Sequence, residues 1–146
     1  MLVRTIFAAI ATAAFGILFN IRGVNLILVG INGGLGFLIF SISTARGWET
    51  FIGMFLASLA MTAAAEVLAR RRKTPVTIFL AAALIPIVPG GRLFNFVMRL
   101  LEGDYPSAGA DGITTLLEAG AIAVGIIMVS SFTKVISARL HQRKAR

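Results

Sequence analysis

The sequence predicts an all-α polytopic membrane protein with five transmembrane helices, the fourth broken at Pro86-Pro89-Gly90, in one membrane domain over residues 1–146. Two observations predict it. Of the 146 residues, 58% are hydrophobic and 14% charged, and the mean hydropathy is +0.91. Soluble domains carry roughly 45–50% apolar and ~25% charged residues, so too little polar surface remains to coat a water-soluble globule. The second observation is spacing: apolar runs recur near the length of about 20 residues that crosses a ~30 Å hydrocarbon core.

The same numbers exclude a cytosolic enzyme, a free-standing nucleic-acid binder and a disordered tail. Fourteen Lys/Arg against six Asp/Glu leave a net charge of +8. These basic residues sit beside apolar runs and not along a polar face, so the expected surface partner is the lipid bilayer, with no nucleic acid. The chain has no Cys, and its single His, His141, lies in a basic tail, so no metal site and no cofactor are expected.

In chain order, the first span is expected at about 2–19, broken only by Arg4 and ending at Asn20-Ile21-Arg22-Gly23. A secretory-signal reading of residues 1–13, with Ala11-Thr12-Ala13 as the cleavage site, fails because the apolar run continues through Leu18 and Phe19. The second span covers about 24–42 and the third about 50–69, stopping at Arg70-Arg71-Arg72-Lys73-Thr74-Pro75. That basic cluster reads as a topology anchor at the anionic cytoplasmic leaflet.

The fourth region differs. Residues 76–85 are strongly apolar, but Pro86-Ile87-Val88-Pro89-Gly90-Gly91 cannot continue a regular helix. A helix over 76–88 would rise only ~20 Å, too short to cross. Leu93, Phe96, Val97 and Leu100 then recur with helical period. The reading is a span over 75–101 made of two half-helices; the alternative is a short span to Val88 followed by an amphipathic helix on the outer surface. The fifth span is expected at about 112–137.

Orientation follows from the Lys/Arg bias across loops. With the N-terminus outside and the C-terminus cytoplasmic, 10 of the 14 basic residues fall inside. The acidic loop around Glu102 and Asp104, with Asp111, then lies outside, near Trp48 and Tyr105.

Within the spans, small residues align at Ala9, Ala13, Gly16 and Asn20, and at Gly53, Ala57, Ala60 and Ala64. Such stripes allow close backbone approach between membrane helices. Asn32, ninth in a nineteen-residue span and set among Gly30, Gly33, Gly34 and Gly36, lies near the midplane. Its amide either makes an interhelical hydrogen bond or lines a substrate path, because an unpaired amide there is costly. Glu118, about two turns into the fifth span, is either a proton-coupling group or the partner of Arg92 or Arg99. Glu66, four residues before Arg70, has ordinary helix ion-pair spacing.

The broken segment is the strongest mechanistic lead. Interrupted helices near the midplane offer free backbone groups to solutes in secondary transporters. Gly90 and Gly91 would open the second half-helix with unpaired N–H donors, and Arg92 adds a positive charge. With Pro86 and Pro89 shaping the break, they form a candidate carboxylate site. The competing reading is a proline kink with Arg92 snorkelling outward.

Several runs also resemble a known family. Ala14-Phe15-Gly16-Ile17-Leu18-Phe19-Asn20 with Gly23, the Gly-rich second span, and Glu66-Val67-Leu68-Ala69-Arg70-Arg71-Arg72-Lys73-Thr74-Pro75 resemble the smaller half of threonine/serine exporters. The most specific element, Leu84-Ile85-Pro86-Ile87-Val88-Pro89-Gly90, is similar to that family's Ile-Pro-x-x-Pro-Gly signature, and the likeness runs from about Ile6 to Val135. Gly91 and Arg92 lie beyond the signature and rest on physics alone.

The resemblance implies the membrane subunit of a two-component secondary exporter, moving threonine and serine across the bacterial cytoplasmic membrane. Its expected partners are a larger five-span half and a small carboxylate-bearing metabolite, with no enzymatic activity. The alternatives are a dicarboxylate exporter subunit of the succinate type, or a non-transporting scaffold subunit. The broken span separates transporter from scaffold, since a scaffold gains nothing from freed backbone groups.

Overall fold

The computed structural model describes residues 1–144, with side chains through Val135. His141 and the basic tail residues Arg139, Arg143, Lys144 and Arg146 fall outside those side chains. Among the described residues every regular element is helical: α1 (Leu2–Leu18), α2 (Val24–Ala45), α3 (Thr50–Arg72), the short α4 (Val76–Leu80), a 3-10 turn (Ile85–Ile87), α5 (Gly90–Leu101) and α6 (Tyr105–Lys144).

Three helices are long and apolar enough to cross a membrane by length and composition: α2, α3 and the Tyr105–Val135 part of α6. Five were expected. The difference has two sources: α1 has only 17 residues, and the fourth region is not one continuous helix. The break there is wider than the Pro-Gly motif, because α4 already ends at Leu80 and α5 begins only at Gly90.

α6 also begins seven residues before the expected start at 112, which places Asp111 inside a helix and not in an outer loop. Asp104 explains the early start. Its Oδ1 accepts a hydrogen bond from the Ser107 N–H at 3.3 Å, a side-chain cap on the first turn. Pro106 is harmless in a first turn, where its missing N–H would have no intrahelical acceptor. α5 closes ahead of it through Gly103 at φ +80°, with Asp104 N–H donating to Arg99 O at 3.0 Å.

α1, α2 and α3 pack in sequence as antiparallel neighbours. Gly30 and Gly34 of α2 meet Ala9 and Ala13 of α1, and Gly33 meets Thr12. On α3 the buried face is Met54, Ala57, Ser58, Met61, Thr62, Ala65 and Ala69. Of the small residues aligned in the sequence there, Gly53 and Ala57 are buried, while Ala60 and Ala64 turn partly outward.

α6 packs on α3 with numbers rising together: Gly125 touches Ser58, and Arg70 Nη2 donates to Thr133 O at 3.1 Å. The two helices therefore run parallel. Residues 73–104 carry the chain back along the bundle between them, and α5 returns along α6.

Candidate functional site

Two of the expected site regions lie apart in the structure, one at the core of the bundle and one on the α5–α6 hairpin. At the core, Asn32 is 2% exposed. Its Nδ2 donates to Met61 O of α3 at 3.2 Å and to Phe79 O of α4 at 3.1 Å. Both amide hydrogens are thus engaged with backbone, and Oδ1 is buried without a hydrogen-bond partner. Gly33 and Gly36 let α2 approach Thr12 and Met61 closely enough for this reach.

Asn32 also lines a groove of about 440 Å³ between α2 and α3, walled by Leu28, Ile31, Leu35 and Leu68 among others. None of its lining residues is charged. The groove has nothing to balance a carboxylate or an ammonium group.

The interrupted segment runs from Ala81 to Pro89. Pro86 sits inside the 3-10 turn, Ile87 and Pro89 are buried, and Val88 is extended and exposed. At Pro89 (φ −75°, ψ 51°) the chain makes a tight reversal in which Gly90 N–H donates to Val88 O at 2.7 Å. Leu93 N–H donates to Pro89 O at 3.1 Å. Among the described residues, the N–H groups of Gly91 and Arg92 have no backbone acceptor. Gly90 and Gly91 face open space: a Cβ on either would meet nothing within 4 Å.

Arg92 joins this opening to Glu118. Its Nε lies 2.7 Å from Glu118 Oε1, with the Glu118 side chain 1% exposed and that of Arg92 42% exposed. Neither Glu118 oxygen makes a well-angled hydrogen bond among the described residues, so the contact is a charge pair. An Arg held at Nε keeps the Nη edge of its fork available for a second anion.

Two helical turns further along α5, Arg99 meets Asp111 at 3.2 Å. Phe96 packs between the two pairs, against Gly112. Of the two arginines open to Glu118 in the sequence, the structure selects Arg92. Glu66 lies 3.9 Å from Arg70, as its spacing indicated.

The geometry thus brings Gly90, Gly91, Arg92 and Glu118 together, next to Pro86 and Pro89 along the chain. It places Asn32 elsewhere, in the bundle core. Sequence reasoning did not assign Asp111 to Arg99; the repeat of two basic and two acidic residues at seven-residue spacing on adjacent segments was the available signal.

Residues 4–132 match the family described as Threonine/Serine exporter, ThrE. A "Probable threonine/serine exporter" of Mycobacterium tuberculosis (strain ATCC 25618 / H37Rv) is 28% identical over 97 residues, which are 66% of this chain and 18% of that protein. The chain therefore spans well under two thirds of this relative's length. No solved structure matches. With apolar helices of crossing length and a family match over most of its residues, the chain is a membrane-embedded protein that belongs to the threonine/serine exporter family.

Proposed function

We propose that this chain is one half of a two-component secondary exporter that moves threonine and serine out of the bacterial cytoplasm. In this reading it crosses the membrane five times, N-terminus outside and C-terminus inside, and pairs with a larger five-span half. Helix direction supports the odd number. If α3 and α6 both cross, being parallel, residues 73–104 have to cross back between them, and α1 adds a further crossing antiparallel to α2.

The observation that carries the site is the Arg92–Glu118 pair beside the open start of α5. Every amino acid carries a carboxylate. The Nη edge of Arg92 and the free N–H groups of Gly91 and Arg92 form a small array of donors suited to that group. Pro86 and Pro89 keep the backbone out of a regular helix, which leaves those donors unpaired. Glu118 fixes the guanidinium from behind and is the proton-coupling group, as an intramembrane carboxylate next to an ion path is suited to be. Asn32 adds a free carbonyl oxygen at mid-depth, within the same bundle but not at the same anion site.

The test is threonine efflux from bacterial cells loaded with a threonine-containing peptide, expressing this chain, the larger half, or both. Efflux only with both chains supports the two-part exporter. With both proteins confirmed in the membrane, absence of threonine efflux overturns the amino-acid reading. Succinate efflux would then mark a dicarboxylate exporter, and inertness under every condition a scaffold. Glu118→Gln is expected to abolish gradient-dependent export without changing protein abundance; normal transport would remove Glu118 from the coupling role.

A further inference from the structure

The strongest unassigned arrangement is the one around the Phe79 carbonyl. In a continuous helix Phe79 O would accept the N–H of Ala83, but the chain leaves helical bonding after the Ala81–Thr77 contact and resumes it only at Leu84–Leu80. Phe79 O is therefore released by the interruption inside a fully buried environment, where an unpaired carbonyl costs free energy. The donor that replaces Ala83 comes from another helix: Asn32 Nδ2, at 3.1 Å. The same nitrogen donates to Met61 O at 3.2 Å, so one side chain ties α2 to α3 and to α4 together.

From this we infer that Asn32 is a positioning residue for the interrupted fourth segment: its amide hydrogens replace the helical bond that the break removes and hold residues 81–89 open against the bundle. The inference rests on the reading of residues 86–92 as the substrate-facing break. It gives Asn32 a role carried by its nitrogen, separate from any contact made through its free oxygen.

Three features of the structure favour this role over general packing. The donor reaches a carbonyl at the break itself, and neither acceptor lies on Asn32's own helix. Gly33 and Gly36 remove the side chains that would keep α2 away from its neighbours. The pin also acts at a distance, because α4 and the 3-10 turn pack on α2 while Val88, nine residues after Phe79, stands exposed at the far end of the segment.

The chain contains no Cys, so a single Val88→Cys substitution reports on the segment alone. The rate at which the thiol of Val88→Cys reacts with a membrane-impermeant maleimide is measured in membranes, with Trp48→Cys in the α2–α3 loop as the control. Asn32→Leu removes donor and acceptor, and Asn32→Asp keeps an acceptor but leaves at most one O–H donor in place of two. Both are expected to change the labelling rate of Val88→Cys by about threefold or more, the scale of one interhelical hydrogen bond, and to leave that of Trp48→Cys unchanged. Asn32→Gln, which retains the amide, is expected to stay near the parent.

A parent-like rate in Asn32→Leu, which has no donor, would overturn the inference, as would an equal change in the Trp48→Cys control. Should the Leu and Asp chains fail to accumulate, Asn32→Gln and Asn32→Ser provide the comparison. Both are neutral donors, but only Gln can reach both carbonyls, so equal labelling rates of Val88→Cys in those two backgrounds would also overturn it. Labelling needs no transport. A pinned segment in a chain that exports nothing with the larger half present would defeat the exporter reading alone, and a normal exporter with an indifferent Asn32 would defeat this inference alone.

Discussion

Where α1, α2 and α3 meet, the closest approaches are made at glycines, against small residues such as Ala9, Ala13 and Thr12 and against Met61; where α5 meets α6, two arginines pair with two carboxylates around one phenylalanine ring. The bundle buries Thr12, Val29, Asn32, Ala57, Met61 and Thr62 almost completely, whereas α5 buries no residue at all. α5 makes its extensive contacts with α6 and leaves Leu93, Phe94 and Leu101 exposed. Close packing through small residues suits a part that keeps one shape, because steep short-range contacts tolerate little displacement. Charge pairs fall off gently with distance and can be exchanged for an incoming anion. On the proposed reading, the bundle is the frame and the hairpin carries the exchangeable contacts.

Breaking the hairpin's deeper charge pair is expected to have the largest effect. Arg92→Ala leaves Glu118 buried with no counter-charge, the situation in which losing one partner costs about 3–5 kcal/mol for a fully buried pair. Because Arg92 is 42% exposed, solvent screens part of this, and the expected loss is nearer ~2–3 kcal/mol. Unfolding in detergent measures it. The double variant Arg92→Met with Glu118→Leu should recover much of the loss, since the cost lies in the unpaired charge and not in the missing contact. If the double variant is as unstable as the single one, packing and not charge holds the hairpin.

The matching test in the bundle is Gly33→Ala. A Cβ there would come within 2.7 Å of Thr12 Cβ, and Thr12 is fully buried and tied to Ala8 O at 2.8 Å. The expected cost is about 1–3 kcal/mol from overpacking. Gly91→Ala on the hairpin side meets open space and is expected to change stability by less than ~1 kcal/mol. Equal effects at the two glycines would erase the contrast between frame and hairpin.

How much of this was legible in the sequence follows the same division. The bundle was readable because its signal is local: an apolar run gives a helix, and Ala9 and Ala13 at helical spacing anticipate a partner such as Gly30 and Gly34. The hairpin was less so. Whether Glu118 meets Arg92 or Arg99 depends on the register between two helices, which the Glu102-Gly103-Asp104 turn sets and which only the matched seven-residue spacing of Arg92/Arg99 and Asp111/Glu118 signals. α6 starts earlier than the expected span: Asp111, placed by the sequence in the outer acidic loop, is already helical. Pro106 occupies a first turn, and Gly112 makes room for Phe96. Asn32 was legible as a costly midplane amide, but its acceptor on Phe79 exists only because α4 ends at Leu80.

The second charge pair sharpens the comparison at smaller scale. Arg99 and Asp111 are 3.2 Å apart with side chains 42% and 15% exposed, so Asp111 is wetter than Glu118. Arg99→Ala is expected to cost about 0.5–1 kcal/mol, less than Arg92→Ala by the same unfolding measurement. A larger loss at Arg99 would place the hairpin's main anchor at its outer end and weaken the case for an exchange at Arg92.

The smallest expected effect is at the turn that sets the register. Asp104 is fully exposed, and hydrogen bonds from Ser107, first its hydroxyl and then its backbone N–H, hold the carboxyl below its ordinary value of 3.8, with Arg99 adding to this. A lowered folded-state value means that the ionised form is favoured by folding. Its contribution is therefore fully present above pH 3.8 and is lost as the pH falls through the lower folded-state value. Asp104→Ala should destabilise the chain by a constant small amount from neutral pH down to about pH 5. Below about pH 4 the gap to the parent should shrink, because the parent loses the same interaction on protonation. A gap that widened on acidification would mean that the carboxyl caps α6 better when protonated. The hairpin register would then depend on the Gly103 turn alone, leaving charge to act only deeper in, at Arg99 and Arg92.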